Sequence, residues 1–341
     1  MSNAGGPSCE RSHIDTAIFL VRQQGLVAAD VRIEARFLPG GSIGVVVLVT
    51  SGDGRQWVVK QVPGSRPSML PAEAEGLQAL GASATVAVPF VYYVGGGSLV
   101  MDALGPALQD SPAFWQRLGE DIAALQASTR AEQHGWSHDN WLGGLPQRNT
   151  WDADGHRFFA EHRVQRFLEE PKVRHALSAG DIKAVDRFCQ RLPGLIPPTA
   201  PVLLHGDLWR DNVLAGPTGR PALIDPAVWY GWPEVDISML WLSPRPSASG
   251  RFFETWEAIV RPEPGWKSRA PLLHVREMLS VLAQFGDDNG TADRLRAVLT
   301  PFRPPAARVS TSFVTKRSWT PSFSSPQAPL GPHRQIGRAH V

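Results

Sequence analysis

The sequence predicts an α+β chain of two lobes, a small β-rich one followed by a larger, mainly helical one, with a ligand cleft between them. Three observations carry that prediction. Residues 31–62 alternate β-branched runs with turn signals; the apolar periodicity becomes helical after Leu104; and a dense cluster of acids and amides follows the apolar strand VLL at Val202. A length of 341 residues is long for one ordinary domain and suits two lobes. With 43% hydrophobic residues there is ample apolar surface for both cores.

Met1 to Arg11 is small and polar and is expected to be disordered, which sets the first lobe at residues 12–103. From Val31 the chain reads as strands, punctuated by Pro39-Gly40-Gly41 and by Ser51-Gly52-Asp53-Gly54, the latter a hairpin turn between VVVLVT and QWVVKQV. Pro71 to Leu80 reads as a helix with Pro71 in its first turn. Strands at Phe90–Val94 and Ser98–Met101, joined by three glycines, complete the lobe.

Residues 104–302 form the expected helical lobe. Phe114, Trp115, Leu118, Ile122 and Leu125 recur at helical spacing, as do Ile182, Val185, Phe188 and Leu192. Cys189, beside the second stripe, reads as a small buried hydrophobe. The Pro-rich stretch Leu192 to Pro201 reads as a loop feeding the strand VLL. Residues 303–341, rich in Pro, Ser, Thr and Arg and without periodicity, are expected to be disordered. The last six, Ile336 to Val341 (IGRAHV), read like a translated sequencing adapter, so the tail is expected to be partly artefactual and is assigned no function.

Several function classes are disfavoured by composition. Lys plus Arg total 34 against 32 acids, a net charge of +2 that is too even for binding nucleic acid through bulk charge. Two cysteines make neither a disulfide framework nor a zinc site. No apolar run has the length of a membrane span, and the N-terminus lacks a basic segment followed by an apolar one. The expectation is a soluble, cytoplasmic monomer without nucleic-acid or membrane partners.

The chemistry concentrates in Leu203 to Met239, where H-G-D-x-x-x-x-N lies on a loop after a strand and a short strand pair VLA…PALI ends at Asp225. Phosphoryl transfer from ATP needs a carboxylate to take the attacking hydroxyl's proton and oxygen ligands for Mg²⁺. Asp207 is placed as that base; Asn212 and Asp225 are placed as the metal ligands. His205 and Asp236 read as structural, holding the loop. In the first lobe, Gly40, Gly41 and Ser42 form a turn whose N–H groups could cover phosphates. Lys60 ends an apolar strand, where lysine is unusual, and Glu73 in the following helix is its natural partner. Asp102, Ala103 and Leu104 would then be the interlobe hinge that meets the adenine.

These residues resemble the fructosamine kinase (ketosamine-3-kinase) family, a branch of the aminoglycoside-phosphotransferase-like kinases with a protein-kinase-like fold. HGDLWRDNVL and ALIDPAVWYGWPEVDISML are similar to its HGDLW-x-x-N and IDPA-x-YG-x-x-E-x-D signatures, and HDNWLGGLPQRNTW (His138 to Trp151) is similar to its DN-x-IG-x-x-PQ-x-N-x-W block. The resemblance implies ATP-dependent phosphorylation of the 3-hydroxyl of a ketoamine sugar, either a small molecule or a glycated lysine on a protein. The 3-phosphate then decomposes and frees the amine. It also suits Asp139, Asn140, Gln147, Asn149 and Trp209 to substrate recognition. The chain departs from the family pattern at Gly44, Pro71, Gln126 and Gly155. Two other readings stand beside this one: a kinase of the same fold acting on an aminoglycoside, choline or another amino alcohol, and a nucleotide-binding pseudokinase.

Overall fold

Two helices on opposite faces of one sheet account for the unbroken apolar run Val45–Val49. The computed structural model describes residues 7–39, 43–62, 64–105 and 111–303, with side chains from residue 10 onward. Helix α1 (Pro7–Gln23) precedes strands β1 (Ile33–Phe37), β2 (Val45–Ser51) and β3 (Gln56–Gln61), then helix α2 (Met69–Ala82) and strands β4 (Val91–Gly95) and β5 (Ser98–Asp102). The strands form one antiparallel sheet in the order β1-β2-β3-β5-β4. Alternate β2 side chains leave opposite faces. Val47 and Val49 pack with Ala17, Leu20 and Val21 of α1, whereas Val46 and Leu48 pack with Leu70, Ala74 and Leu77 of α2. With both faces covered, a continuous apolar strand is stable.

Helix α1 corrects the expectation of a disordered start through Arg11, because the helix begins at Pro7. Apolar Ile14, Ala17, Leu20 and Val21 recur at helical spacing and bind the helix to the sheet. Burying Leu20 and Val21 alone contributes about 1.5–3 kcal/mol each. His13 adds a polar tie, its backbone carbonyl accepting from Gln61 Nε2 at 2.8 Å. Residues 1–6 and 304–341 lie outside the described residues, and with them nearly all of the expected disordered tail.

The second part is mainly helical. Helix α3 (Pro112–Ser128), the hairpin β6 (Asn140–Leu142) and β7 (Leu145–Gln147), and helices α4 (Gly155–Phe158), α5 (Pro171–Ala176) and α6 (Ala179–Leu195) lead to β8 (Val202–Leu204). There follow β9 (Val213–Ala215), β10 (Pro221–Leu223) and β11 (Trp229–Gly231), then helices α7 (Glu234–Leu242), α8 (Gly250–Val260), α9 (Trp266–Leu273), α10 (Val275–Phe285) and α11 (Thr291–Leu299). One core gathers α6, α10 and α11 around Trp229; another packs α3 against α8. The stretch expected as a loop from Leu192 is helical to Leu195, with Pro193 inside the last turn and Leu192 buried. Burial of Leu192 outweighs the hydrogen bond that proline cannot make.

The two parts meet on α2. Gly76 faces Pro226 and Val228 so closely that an added Cβ would lie 3.0 Å from the proline ring. The core on that side of the sheet also takes in Leu214, Ala222 and Ile224 of the β9–β10 hairpin.

Candidate active site

The loop after β8 is knitted to the loop after β10. The His205 carbonyl accepts from the Ala227 N–H at 2.9 Å, and the His205 ring spans the same gap, Nε2–H donating to the Ile224 carbonyl at 2.9 Å. Its other nitrogen accepts from the Asp207 N–H at 3.2 Å. Asp236, at the start of α7, accepts from the N–H groups of His205 (2.7 Å) and Gly206 (2.9 Å). Burial pushes the Asp236 carboxyl up from its ordinary range, offset by His205, these two N–H groups and Arg276. Gly206 has φ +78°, and a Cβ there would lie 2.0 Å from the Ala227 carbonyl oxygen, so only glycine fits between the loops.

Asp207 and Asn212 meet directly: Asn212 Nδ2 donates to the Asp207 carbonyl at 2.8 Å and to its Oδ2 at 3.0 Å. Asp225 lies in the left-handed region at φ +55°, a strained position for a residue with a side chain. Its carboxylate pairs with Lys60, whose Nζ also donates to Glu73 Oε1 at 2.7 Å. Burial opposes the charged lysine, but the Asp225 and Glu73 carboxylates outweigh it and hold the Lys60 pKa above its ordinary value. Burial pushes the Glu73 carboxyl up, Lys60 pulling it down and Asp225 adding to the rise. Lys60, Glu73, Asp207 and Asp225 line one cleft between the sheet and the helical part.

The donor set suits a hard cation. Asp225 keeps a 40% accessible side chain in the cleft that Asp207 also lines, and the Asn212 carboxamide is bonded to Asp207. Mg²⁺ takes one or two carboxylates and fills its remaining positions with phosphate oxygens and water.

The hinge and the glycine turn stand differently. Asp102 spends its carboxylate on the edge strand β4 and the residue before it, accepting from Tyr92 Oη at 2.8 Å and the Phe90 N–H at 3.0 Å. Ala103 N–H donates to the Gln56 carbonyl at 3.4 Å, and Leu104 is buried in the sheet core. Gly40, Gly41 and Ser42 lie outside the described residues. The neighbouring Gly44 has a steric reason, since a Cβ there would lie 2.2 Å from the Gln61 carbonyl oxygen.

In the block after His138, the Gln147 and Asn149 amides are spent on partners within the protein rather than on the cleft. Asn140 Oδ1 accepts from Gln147 Nε2 and Asn149 Nδ2, both at 2.9 Å, while Asn140 Nδ2 donates to the Val228 carbonyl. Gln147 also donates to the Ala227 carbonyl and accepts from Arg276; Asn149 donates to the His138 carbonyl and accepts from Arg163. All three amides are buried, so Gln147 and Asn149 brace the loop after Asp225 from behind. Only Asn140 of the three borders the cleft. Asp139 is exposed and caps the Asn149 N–H at 2.8 Å; Trp209 is half-buried beside Asp207 in sequence. Trp141, between them, borders the cleft and donates to Ser68 Oγ at 3.1 Å.

Sequence reasoning missed the buried arginines. Arg163 lies over the Phe158 and Trp229 rings, 4.6 and 4.1 Å from their centroids, and Arg276 reaches the catalytic loop. Charged residues in helices normally face water, so their sequence positions carry no signal of burial. Two departures from the family pattern also find partners. Gln126 accepts from Trp256 Nε1 at 2.8 Å and donates to the Pro233 carbonyl, and Gly155 leaves room for the His134 ring.

The fructosamine kinase family model matches residues 20–299. A probable ketoamine kinase of Synechocystis is 34% identical over 259 residues, covering 74% of this chain and 85% of that protein. The crystal structure of a Thermobifida fusca protein assigned as a fructosamine-3-kinase superposes with a TM-score of 0.72 at 29% identity, covering 82% of this chain and 98% of that one. The aminoglycoside phosphotransferase APH(4)-Ia, in ternary complex with AMP-PNP and hygromycin B, shares the fold alone: its TM-score is 0.58 at 17% identity, covering 83% of this chain and 97% of that one.

Proposed function

Because this chain belongs to the fructosamine kinase family, we propose that it transfers the γ-phosphoryl group of ATP to the 3-hydroxyl of a ketoamine sugar carried on an amine. The observation that carries the reading is the convergence of Lys60, Glu73, Asp207 and Asp225 on one cleft, with Asn212 bonded to Asp207. Lys60, fixed by Glu73, is a point charge for the ATP phosphates. Asp102, Ala103 and Leu104 bound the adenine end. Asn212 and Asp225 would hold Mg²⁺, which would supply neutralisation of the phosphate charge.

Asp207 accepts the hydroxyl proton as the sugar oxygen bonds to the γ-phosphorus and ADP departs. His205 and Asp236 keep the Asp207 loop in place. Asn140, Trp141 and Trp209 face the acceptor, with Asp139 at the outer edge. The phosphorylated ketoamine decomposes and releases its amine, which makes the role deglycation, of small ketoamines or of glycated lysines, by a cytoplasmic monomer. No helix among the described residues is long and apolar enough to cross a membrane.

An assay of ATP consumption with fructose-lysine, ribulose-lysine, choline and kanamycin tests the reading. Turnover with the ketoamines alone supports it. Turnover with choline or kanamycin, or with none of the four, rejects it.

A further inference from the structure

A buried cation faces the catalytic loop from behind. Arg276 on α10 is 1% exposed. Its Nη2 donates to the Gly206 carbonyl at 2.9 Å and to Gln147 Oε1 at 2.8 Å, and its Nη1 pairs with Glu277. The Gly206 carbonyl belongs to the peptide that joins Gly206 to Asp207. The N–H of the same peptide donates to His205 Nδ1, so both polar atoms of that plane are held. Gly206 itself offers no side chain to anchor and sits at φ +78°, where the backbone has wide freedom.

We infer that Arg276 is a positioning residue for phosphate transfer: it fixes the Gly206–Asp207 peptide plane, and through Gln147 it couples that plane to the loop that carries Asn140 and Trp141. Burying a guanidinium is costly unless its donors are used; here Nη1 and Nη2 are spent on one carboxylate, one loop carbonyl and one amide, and Nε is left without a hydrogen-bond partner. The forked group reaches Gly206 and Gln147 at once, which an ammonium on a single stem does less well. Rotation of the plane would swing the Asp207 carboxylate away from the acceptor. The Lys60–Glu73 pair lies on the other side of the cleft, on the sheet and α2.

The kinetic arm of this inference rests on the proposed kinase activity. Arg276→Met is expected to lower kcat about 10²-fold, the scale of a misplacement near 1 Å, with KM for ATP unchanged. Arg276→Lys should recover part of the loss. Because Arg276→Met removes one partner of the Glu277 carboxylate, the double variant Arg276→Met/Glu277→Gln is assayed beside it, and it should keep the kcat loss. Hydrogen exchange of residues 203–209 should quicken in both Met variants, with the β2–β3 amides unchanged. A folded Met variant with wild-type kcat, or with unaltered exchange over 203–209, overturns the inference, as does a loss that appears only in KM for ATP. If the wild-type protein turned over no ketoamine, the functional reading would fall while the exchange comparison would still decide the clamp.

Discussion

Lys60 Nζ lies 2.7 Å from Glu73 Oε1 and pairs at the same time with Asp225, so one buried ammonium joins the sheet, helix α2 and a loop of the helical part. Because α2 also rests on Pro226 through Gly76, the acid that holds the lysine and the acid proposed for the metal move as one body. The contact is therefore both a binding device and an interlobe strut.

Replacing Lys60 by Met should raise KM for ATP by more than about tenfold, since a charge-assisted contact to phosphate is worth more than ~1.4 kcal/mol. Glu73 and Asp225 would be left facing each other, and Glu73 would take up a proton. Nucleotide titration by calorimetry, with kinetics at saturating acceptor, checks the binding loss. A wild-type KM in a folded Lys60→Met protein would remove the lysine from the ATP site.

Asp207→Ala should lower kcat by about 10²–10⁴ while ATP binding persists, as expected for a general base. The backbone bonds of His205 and Gly206 to Asp236, which shape the loop, remain in the variant. Equal loss of turnover and of nucleotide affinity would make Asp207 a structural residue.

Gly155→Ala should destabilise the protein by about 1–3 kcal/mol through overpacking. The new Cβ would lie 2.4 Å from His134 Cε1, and that ring is wedged between Phe158 and Trp232, with centroids 6.1 and 5.7 Å away. Pairing the substitution with His134→Ala should cancel part of the cost. Thermal unfolding of the two single variants and the double variant reads the coupling, and strict additivity would refute the steric account.

Stability should also fall in acid because of His134. Burial lowers its pKa to about 4, against 6.5 for the exposed ring. Below pH 6.5 the unfolded chain binds a proton that the folded protein does not bind until about pH 4, so stability is full above the unfolded value and drops across that window. The loss reaches roughly 3 kcal/mol at 1.36 kcal/mol per pKa unit. Denaturant midpoints measured from pH 7 to pH 4 should show this fall, and His134→Phe should flatten it. An unchanged slope in that variant would assign the acid sensitivity elsewhere.

The proposed catalytic set was legible because its signal is local. Asp207, Asn212 and Asp225 lie within 18 residues on strand-bounded loops, and Lys60 stands out as a lysine in an apolar strand. The bilobal plan was legible for the same reason, since strand and helix periods are read over short windows. Helix α1 was not, because its apolar stripe is short and the face it covers includes Val47, Val59 and Val100, 26 or more residues beyond Val21. The Asn140, Gln147 and Asn149 amides look in sequence like ligand donors. Their true partners are carbonyls at Ala227 and Val228 and the arginines Arg163 and Arg276, contacts that span up to 129 residues and leave no local pattern.

Phosphorus NMR of the reaction with a ribulosamine and ATP bears most directly on the central claim. A new phosphomonoester coupled to the proton on the third sugar carbon, formed by the wild-type protein and absent with Asp207→Ala, is the predicted spectrum. A spectrum of unchanged ATP, or of phosphate placed on a different carbon, would contradict it.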